Sequence, residues 1–81
     1  MDDTTYQISL SLDLTGLKCP LPVLKARKAM KPLAAGETLR VEATDPSAVQ
    51  DFANFCETTG HELVESGQDG EVYRFLIRKG A

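Results

Sequence analysis

Hydrophobic and polar residues alternate near the start of the chain, and this pattern predicts a first strand. Its apolar positions are Ile8, Leu10, Leu12 and Leu14. A period of two residues is typical of a strand with one covered face. Beyond Gly16 the apolar spacing becomes that of an amphipathic helix running to about Leu33. The apolar arc of this helix consists of Val23, Ala26, Ala29, Met30 and Leu33.

The same two patterns recur in the middle of the chain. A second strand is predicted from the alternation of polar residues with Leu39, Val41 and Ala43. Asp45 follows as a predicted helix cap, with Pro46 at the first helical position. The second helix is expected to end at Gly60, and its predicted apolar face consists of Val49, Phe52, Ala53 and Cys56.

The last part of the chain is predicted to form two strands. His61 is expected to be an ordinary residue near a strand edge, and the third strand lies around Leu63 and Val64. Residues 68–70 have the composition of a tight turn. The final strand is predicted from the alternation of Tyr73, Phe75 and Ile77.

The resulting order, βαβαββ, predicts an α/β fold of the two-layer α+β sandwich type. Two βαβ units need parallel strands and right-handed crossovers, which place both helices on one face of the sheet. We therefore expect a mixed four-stranded sheet with two helices on one face and water on the other, since a doubly covered sheet has continuous apolar runs. One domain should span residues 1–81, with residues 1–6 as a flexible N-terminus.

Length and composition limit the classes of function. With 81 residues, of which 42% are hydrophobic, the chain can build one small core and a shallow site. It has no apolar run long enough for a membrane span, and its acidic first residues do not resemble a secretory signal. Two cysteines and one histidine, without a C-x-x-C pair, provide no credible zinc site. We expect a cytoplasmic monomer without a metal or cofactor.

Charge is distributed unevenly along the chain. The net charge of −3 argues against general nucleic-acid binding, because such domains usually carry a basic excess. Residues 14–36 nevertheless contain no acid and five basic residues, which are Lys18, Lys25, Arg27, Lys28 and Lys31. This basic segment is either a solvated helix face or a docking surface for an acidic partner.

Cys19 is the strongest candidate for chemistry. Its thiol lies where the first helix should begin, beside Lys18 and next to Pro20 and Pro22, and it follows the break at Gly16. A helix start favours an anion by roughly 0.3–1 kcal/mol, so we expect a modest lowering of the thiol pKa, with a similar effect from Lys18. The alternative is that Cys19 is a small buried apolar residue and Pro20 only a good first-turn residue.

The motif GLKCPLP at residues 16–22 resembles that of the TusA family, whose members are also called SirA-like proteins. The resemblance extends over residues 12–80, and the segments that carry it are residues 16–22, 36–39, 45–46, 55–56, 61–63 and 73–80. It implies a βαβαββ fold similar to the C-terminal domain of a bacterial translation initiation factor. Leu21 occupies the variable position of the motif, where relatives often carry an acidic residue.

The resemblance also implies a function as a cytoplasmic sulfur carrier. Cys19 would accept sulfane sulfur as a persulfide from a cysteine desulfurase and pass it to an acceptor protein, without a cofactor. Gly16, Lys18, Pro20 and Pro22 would support the motif. In the namesake pathway the sulfur ends in tRNA 2-thiouridine, whereas other members are tied to molybdenum cofactor supply or to sulfur oxidation.

Two alternatives to the sulfur carrier remain open from the sequence. A noncatalytic RNA-binding or regulatory module is suggested by the fold analogy and the basic helix, although fold alone does not establish function. A thiol redox protein would use Cys19 together with Cys56. The helical spacing places Cys56 on the apolar face with Phe52, which favours a role in core packing.

Two leucines interrupt the basic face of the first helix. At 100° per residue, Leu21 and Leu24 project outward, among the basic residues Arg27 and Lys28. An apolar centre ringed by charge is a common construction of a protein interface. We therefore expect Leu21, Leu24, Arg27 and Lys28 to form a partner-docking surface, and scattered exposed leucines are the alternative.

Overall fold

The computed structural model describes residues 8–80, and within them the predicted βαβαββ order is confirmed. The predicted flexible N-terminus, residues 1–6, lies outside the described residues. The six elements are β1 (Leu10–Leu14), α1 (Leu21–Met30), β2 (Thr38–Ala43), α2 (Ala48–Thr59), β3 (Glu62–Asp69) and β4 (Val72–Arg78). Among residues 8–80, no helix has the length and apolarity that a membrane crossing requires.

The sheet is mixed, as the sequence predicts, with the strand order β1-β2-β4-β3. β1 and β2 are parallel, and Leu12 lies opposite Val41. β4 is antiparallel to both of its neighbours, and its Phe75 also faces Val41. The crossover through α1 therefore brings the carboxyl ends of β1 and β2 to one edge, where the loops before α1 and α2 meet.

Both helices cover the same face of the sheet and enclose one core. The largest fully buried side chains are Leu39, Val41, Phe52, Phe75 and Ile77. The rings of Phe52 on α2 and Phe75 on β4 lie with their centroids 4.7 Å apart. Alternating apolar residues on the strands meet the apolar arcs of the helices, because burial of these side chains is the main favourable contribution to folding.

The first helix is shorter than predicted, since α1 ends at Met30 instead of near Leu33. The backbone explains the difference: Lys31 still has helical angles (φ −58°, ψ −46°), but Pro32 has no N–H with which to donate the next helical hydrogen bond. The Lys79 ammonium donates to the carbonyl oxygens of Met30 (2.8 Å), Lys31 (3.1 Å) and Leu33 (2.6 Å). These bonds satisfy carbonyls that a helix end leaves without partners.

The prediction for the second helix was wrong at its start and on its apolar face. α2 begins at Ala48, with Ser47 in the N-cap position instead of Asp45. Val49 is 43% exposed, and Ala53 is exposed as well. The buried residues of α2 are Ala48, Phe52, Phe55 and Cys56. The two phenylalanines set the buried face, because a large aromatic side chain gains more from burial than Val49 or Ala53.

The face of the sheet away from the helices is less polar than predicted. Leu76 on β4 is only 6% exposed there, although it alternates with the core residues of its strand. It forms part of an open groove of about 490 Å³ that is lined on other sides by Val64, Arg40 and Arg74. Ile8, which was predicted to lie in β1, precedes the strand and is 50% exposed beside this groove.

Candidate functional site

Cys19 lies at the surface, in the loop between β1 and α1. Pro20 occupies the N-cap position of α1, and Pro22 is the second helical residue. Proline is tolerated there because the first N–H groups of a helix have no intrahelical acceptor. The peptide bond between Cys19 and Pro20 is cis. The exposure of Cys19 contradicts the alternative interpretation of this residue as a small buried apolar side chain.

Two hydrogen bonds attach the cysteine loop to the loop that precedes α2. Gly16 donates its N–H to Thr44 Oγ1 at 2.8 Å, and Cys19 donates its N–H to Asp45 Oδ2 at 2.6 Å. Gly16 has a φ of +84°, a backbone conformation that is easily adopted only by glycine. These contacts fix the position of Cys19 relative to α2, and sequence reasoning missed them because they join residues far apart in the chain.

Asp45 lies two residues before the N-cap position of α2, but its carboxylate accepts a backbone N–H at the helix start and also joins the two loops. Its Oδ1 accepts a hydrogen bond from the Ser47 N–H at 3.1 Å, while its Oδ2 binds Cys19. The two backbone hydrogen bonds, from Cys19 first and then from Ser47, lower the pKa of Asp45, and the charge of Lys18 contributes further. Both carboxylate oxygens are therefore engaged by backbone N–H groups.

The pKa of the Cys19 thiol is raised, contrary to the expected lowering. The leading cause is a hydrogen bond with the Asp51 carboxylate, followed by desolvation and by the negative charges of Asp51 and Asp45. A hydrogen bond with the Ser47 side chain acts in the opposite direction. The prediction was wrong because the start of α2 brings carboxylates to the sulfur, and two negative groups disfavour a third.

The other predicted motif residues belong to the loop around Cys19 and to the start of α1. The carbonyl of Lys18 accepts a hydrogen bond from the Leu21 N–H at 2.9 Å, and Pro22 is buried against the core. Beside Cys19 lies a shallow depression of about 240 Å³, which is lined by Gly16, Leu17, Lys18, Thr44, Asp45 and Pro46. The site is open, so a partner protein can approach the sulfur directly.

The predicted docking residues lie on α1, but they do not all face the same way. Leu21 and Leu24 are 44% and 51% exposed, and Lys28 is exposed beside them. Arg27 instead turns towards α2, where its guanidinium carbon lies 5.5 Å from the centre of the Phe55 ring. Arg27 therefore contributes to the contact between the helices through a cation–π interaction as well as to the surface charge.

The second cysteine lies in a different environment. Cys56 is 6% exposed, within the core on α2, and both cysteines are free thiols. Burial raises the pKa of Cys56 to about 11. A buried protonated thiol is inert as a nucleophile. Solvent and reactants can therefore reach Cys19 but not Cys56. The predicted packing role of Cys56 is confirmed.

Sequence and structure comparisons agree with this architecture. A family model described as "Sulfurtransferase TusA" matches residues 10–79. The chain belongs to the TusA family. The TusA family also includes the sulfur carrier protein TusA of Allochromatium vinosum (strain ATCC 17899), which is 48% identical over 68 residues, covering 84% of this chain and 90% of the relative.

The TusA fold is likewise found in a solved structure. The crystal structure of a SirA-like protein from Desulfitobacterium hafniense superimposes with a TM-score of 0.78 at 28% sequence identity, covering 89% of this chain and 99% of the other. The resemblance inferred from the residues is thus confirmed for the family and the fold, and a role in sulfur transfer agrees with both.

Proposed function

We propose that this chain is a sulfur carrier that accepts sulfane sulfur on Cys19 as a persulfide. The observation that carries the proposal is the exposed Cys19 thiol at an open corner of a TusA-family fold. The donor is a cysteine desulfurase, and the acceptor is a downstream protein. Family membership supports a carrier over an RNA-binding module, and the burial of Cys56 argues against a redox pair with Cys19.

The transfer requires only the sulfur atoms of two proteins. Cys19 attacks the terminal sulfur of the donor persulfide, so that a new S–S bond forms as the old one breaks and the donor leaves as a thiol. The number of electrons is conserved, because the sulfane sulfur moves without net oxidation or reduction. The protein therefore acts as a relay and not as a stand-alone turnover catalyst, and it needs no resident cofactor.

The proposed destination is tRNA 2-thiouridine synthesis or another sulfur-trafficking route, and the proposed compartment is the cytoplasm. A reducing compartment suits two free cysteines that must remain thiols between transfers. The carrier works as a monomer, because each copy holds its own exposed thiol. It needs no stable contact with nucleic acid, since the acceptor protein handles the final substrate.

The docking surface in this proposal consists of Leu21, Leu24, Arg27 and Lys28 on α1. The exposed leucines lie within the first turns after Cys19, where a partner must pack in order to reach the sulfur. Lys28 supplies charge at the edge of this surface, and charge at an interface edge mainly affects the association rate. Arg27 contributes charge as well, but it also packs on Phe55.

The test is intact-mass analysis after incubation with a cysteine desulfurase and cysteine. Wild type and Cys56→Ser should each gain one sulfur atom, removable by a thiol reductant, whereas Cys19→Ser should gain none. Cys56→Ser is the matched control because it removes the other thiol. Equal loading of Cys19→Ser, or no loading of wild type, would contradict the proposal.

A further inference from the structure

A small cleft lies between the carboxyl ends of the two helices, towards the opposite end of α1 from Cys19. It has a volume of about 170 Å³, and its basic lining residues are Arg27, Lys31, His61 and Lys79. No aspartate or glutamate occurs among the lining residues that the structure describes. In a chain whose net charge is −3, this cleft is a local concentration of positive charge.

A buried aromatic ring holds two planar groups at this cleft. The Arg27 guanidinium carbon lies 5.5 Å from the centre of the Phe55 ring, and the centre of the His61 ring lies 5.5 Å from the same point. His61 Nδ1 accepts a hydrogen bond from the Gly80 N–H at 3.0 Å. The neutral imidazole therefore carries its proton on Nε2, which is the nitrogen left to donate to a ligand.

The two lysines of the cleft contribute differently. The Lys79 ammonium donates to three carbonyl oxygens, those of Met30 at 2.8 Å, Lys31 at 3.1 Å and Leu33 at 2.6 Å. Its three N–H donors are thus occupied, and it supplies charge alone. Lys31 is exposed, and within residues 8–80 no carboxylate forms an ion pair with Lys31 or Arg27. The donors of these two side chains are available to an anion.

The helix ends do not balance this positive charge. Each helix carboxyl end is equivalent to about half a negative charge, so α1 and α2 together supply about one. Arg27, Lys31 and Lys79 supply three positive charges at the same cleft. The pKa of His61 is lowered, first by desolvation and then by the charge of Lys79, which agrees with a positive potential there. The cleft therefore has an excess of positive charge that a bound anion can offset.

We propose that this cleft is a binding site for a small tetrahedral dianion of the sulfate or phosphate type. Arg27, Lys31 and the His61 imidazole donate to its oxygens, and Lys79 adds charge. A water occupies about 30 Å³ of liquid, so the cleft has the volume of about five or six waters. That volume suits one hydrated dianion and is below the roughly 300–1,000 Å³ of pockets for drug-sized ligands. The site is separate from Cys19 and goes beyond the proposed sulfur transfer.

Two rival explanations make different predictions. If the basic residues only offset the helix ends, anions act by general screening, and any salt has the same effect at equal ionic strength. If the cleft instead binds the phosphodiester backbone of a nucleic acid, an oligonucleotide should bind more tightly than a small dianion, because several phosphates contribute.

The experiment follows His61, the one histidine of the chain, by NMR during titration with sodium sulfate. Sodium chloride at equal ionic strength is the reference. Sulfate should shift the imidazole resonances saturably and raise the pKa of His61 above its value in chloride, because a bound dianion stabilises the imidazolium. Lys31→Ala should weaken sulfate binding about threefold or more, towards the upper range for one exposed ion pair. Lys25→Ala is the matched control, since Lys25 is an exposed lysine of α1 that does not line the cleft.

The comparison of the two salts uses wild type and so does not depend on how a variant folds. Equal responses of His61 to sulfate and chloride would overturn the site, as would equal sulfate binding by Lys31→Ala and wild type. Tighter binding of a single-stranded oligonucleotide than of sulfate, weakened by Lys31→Ala, would assign the cleft to nucleic acid and also overturn the proposal. Sulfur loading of Cys19 is not part of this measurement, so its failure would count only against the proposed function.

Discussion

The backbone N–H of Cys19 donates a 2.6 Å hydrogen bond to Asp45 Oδ2, and this contact joins residues 26 positions apart. It connects the loop before α1 to the loop before α2. Asp45 is itself oriented by the Ser47 N–H. The position of the reactive sulfur therefore depends on the start of α2 as much as on the motif around Cys19.

Asp45→Ala should lower the melting temperature and slow sulfur acceptance by Cys19. The substitution removes the acceptor for two backbone N–H groups and frees the cysteine loop to move. Thermal unfolding and single-turnover loading measure the two effects. Asp13→Ala is the matched control, since among residues 8–80 the Asp13 side chain bonds only the nearby Thr15. Similar losses in both variants would show that the connection between the loops has no special importance.

The stability of the protein should fall in acid partly because of Asp45. Hydrogen bonds hold the pKa of this carboxyl below its ordinary value near 3.8. A lowered pKa in the folded state contributes stability that is fully present above the unfolded value and is lost as pH falls through the folded value. Urea unfolding at several pH values below 4 should show a shallower loss for Asp45→Asn than for wild type. An identical acid slope would contradict this assignment.

Cys56→Ser should destabilise the fold without affecting sulfur transfer. Replacing a buried thiol by a hydroxyl in a core of this size should cost about 1 to 3 kcal/mol of unfolding free energy. Because burial raises the pKa of Cys56 to about 11, native wild type should be alkylated only at Cys19 near neutral pH. Denaturant unfolding and peptide mapping provide the measurements. Normal stability with lost loading would assign Cys56 a direct role in transfer.

Leu24→Asp should leave the fold intact and weaken binding to the sulfur donor by at least about 1 kcal/mol. Leu24 is 51% exposed on α1, so its replacement removes no core contact. Calorimetric titration with a cysteine desulfurase measures the affinity. Val49→Asp is the control, because Val49 is also exposed and apolar at 43% but lies on α2. Equal binding by wild type and Leu24→Asp would exclude this surface as the docking site.

Charge at the docking surface is better tested with Lys28→Glu than with Arg27→Glu. Lys28 is exposed, whereas Arg27 also packs over the Phe55 ring, and loss of such a contact costs roughly 0.5–1 kcal/mol of stability. Lys28→Glu should slow association with an acidic partner most strongly at low salt. Stopped-flow association at two ionic strengths checks this result, and unchanged rates at both would remove Lys28 from the surface.

The sequence alone determined the order of the elements, the mixed sheet and the candidate thiol. These features are local: apolar periods of two and of about 3.6 identify strands and helices, and the prolines after Cys19 mark a helix start. The predicted buried face of α2 was wrong because the burial of large side chains, and not the regular helical spacing, determined which face packs on the sheet. Phe55 is buried and Val49 is exposed, because burial of the large aromatic ring contributes more to folding free energy than burial of the smaller Val49 side chain would.

Only the tertiary structure decided the electrostatics of Cys19. The motif predicted a thiol made more acidic by a helix start and by Lys18. The chain crossover instead brings Asp45 and Asp51 to the sulfur, and they raise its pKa. Coulomb and hydrogen-bond effects depend on distances of a few ångströms, which no local pattern specifies for residues 26 positions or more apart. The sequence therefore identified the reactive atom, and the packing of α2 against the cysteine loop determined the direction in which its pKa is shifted.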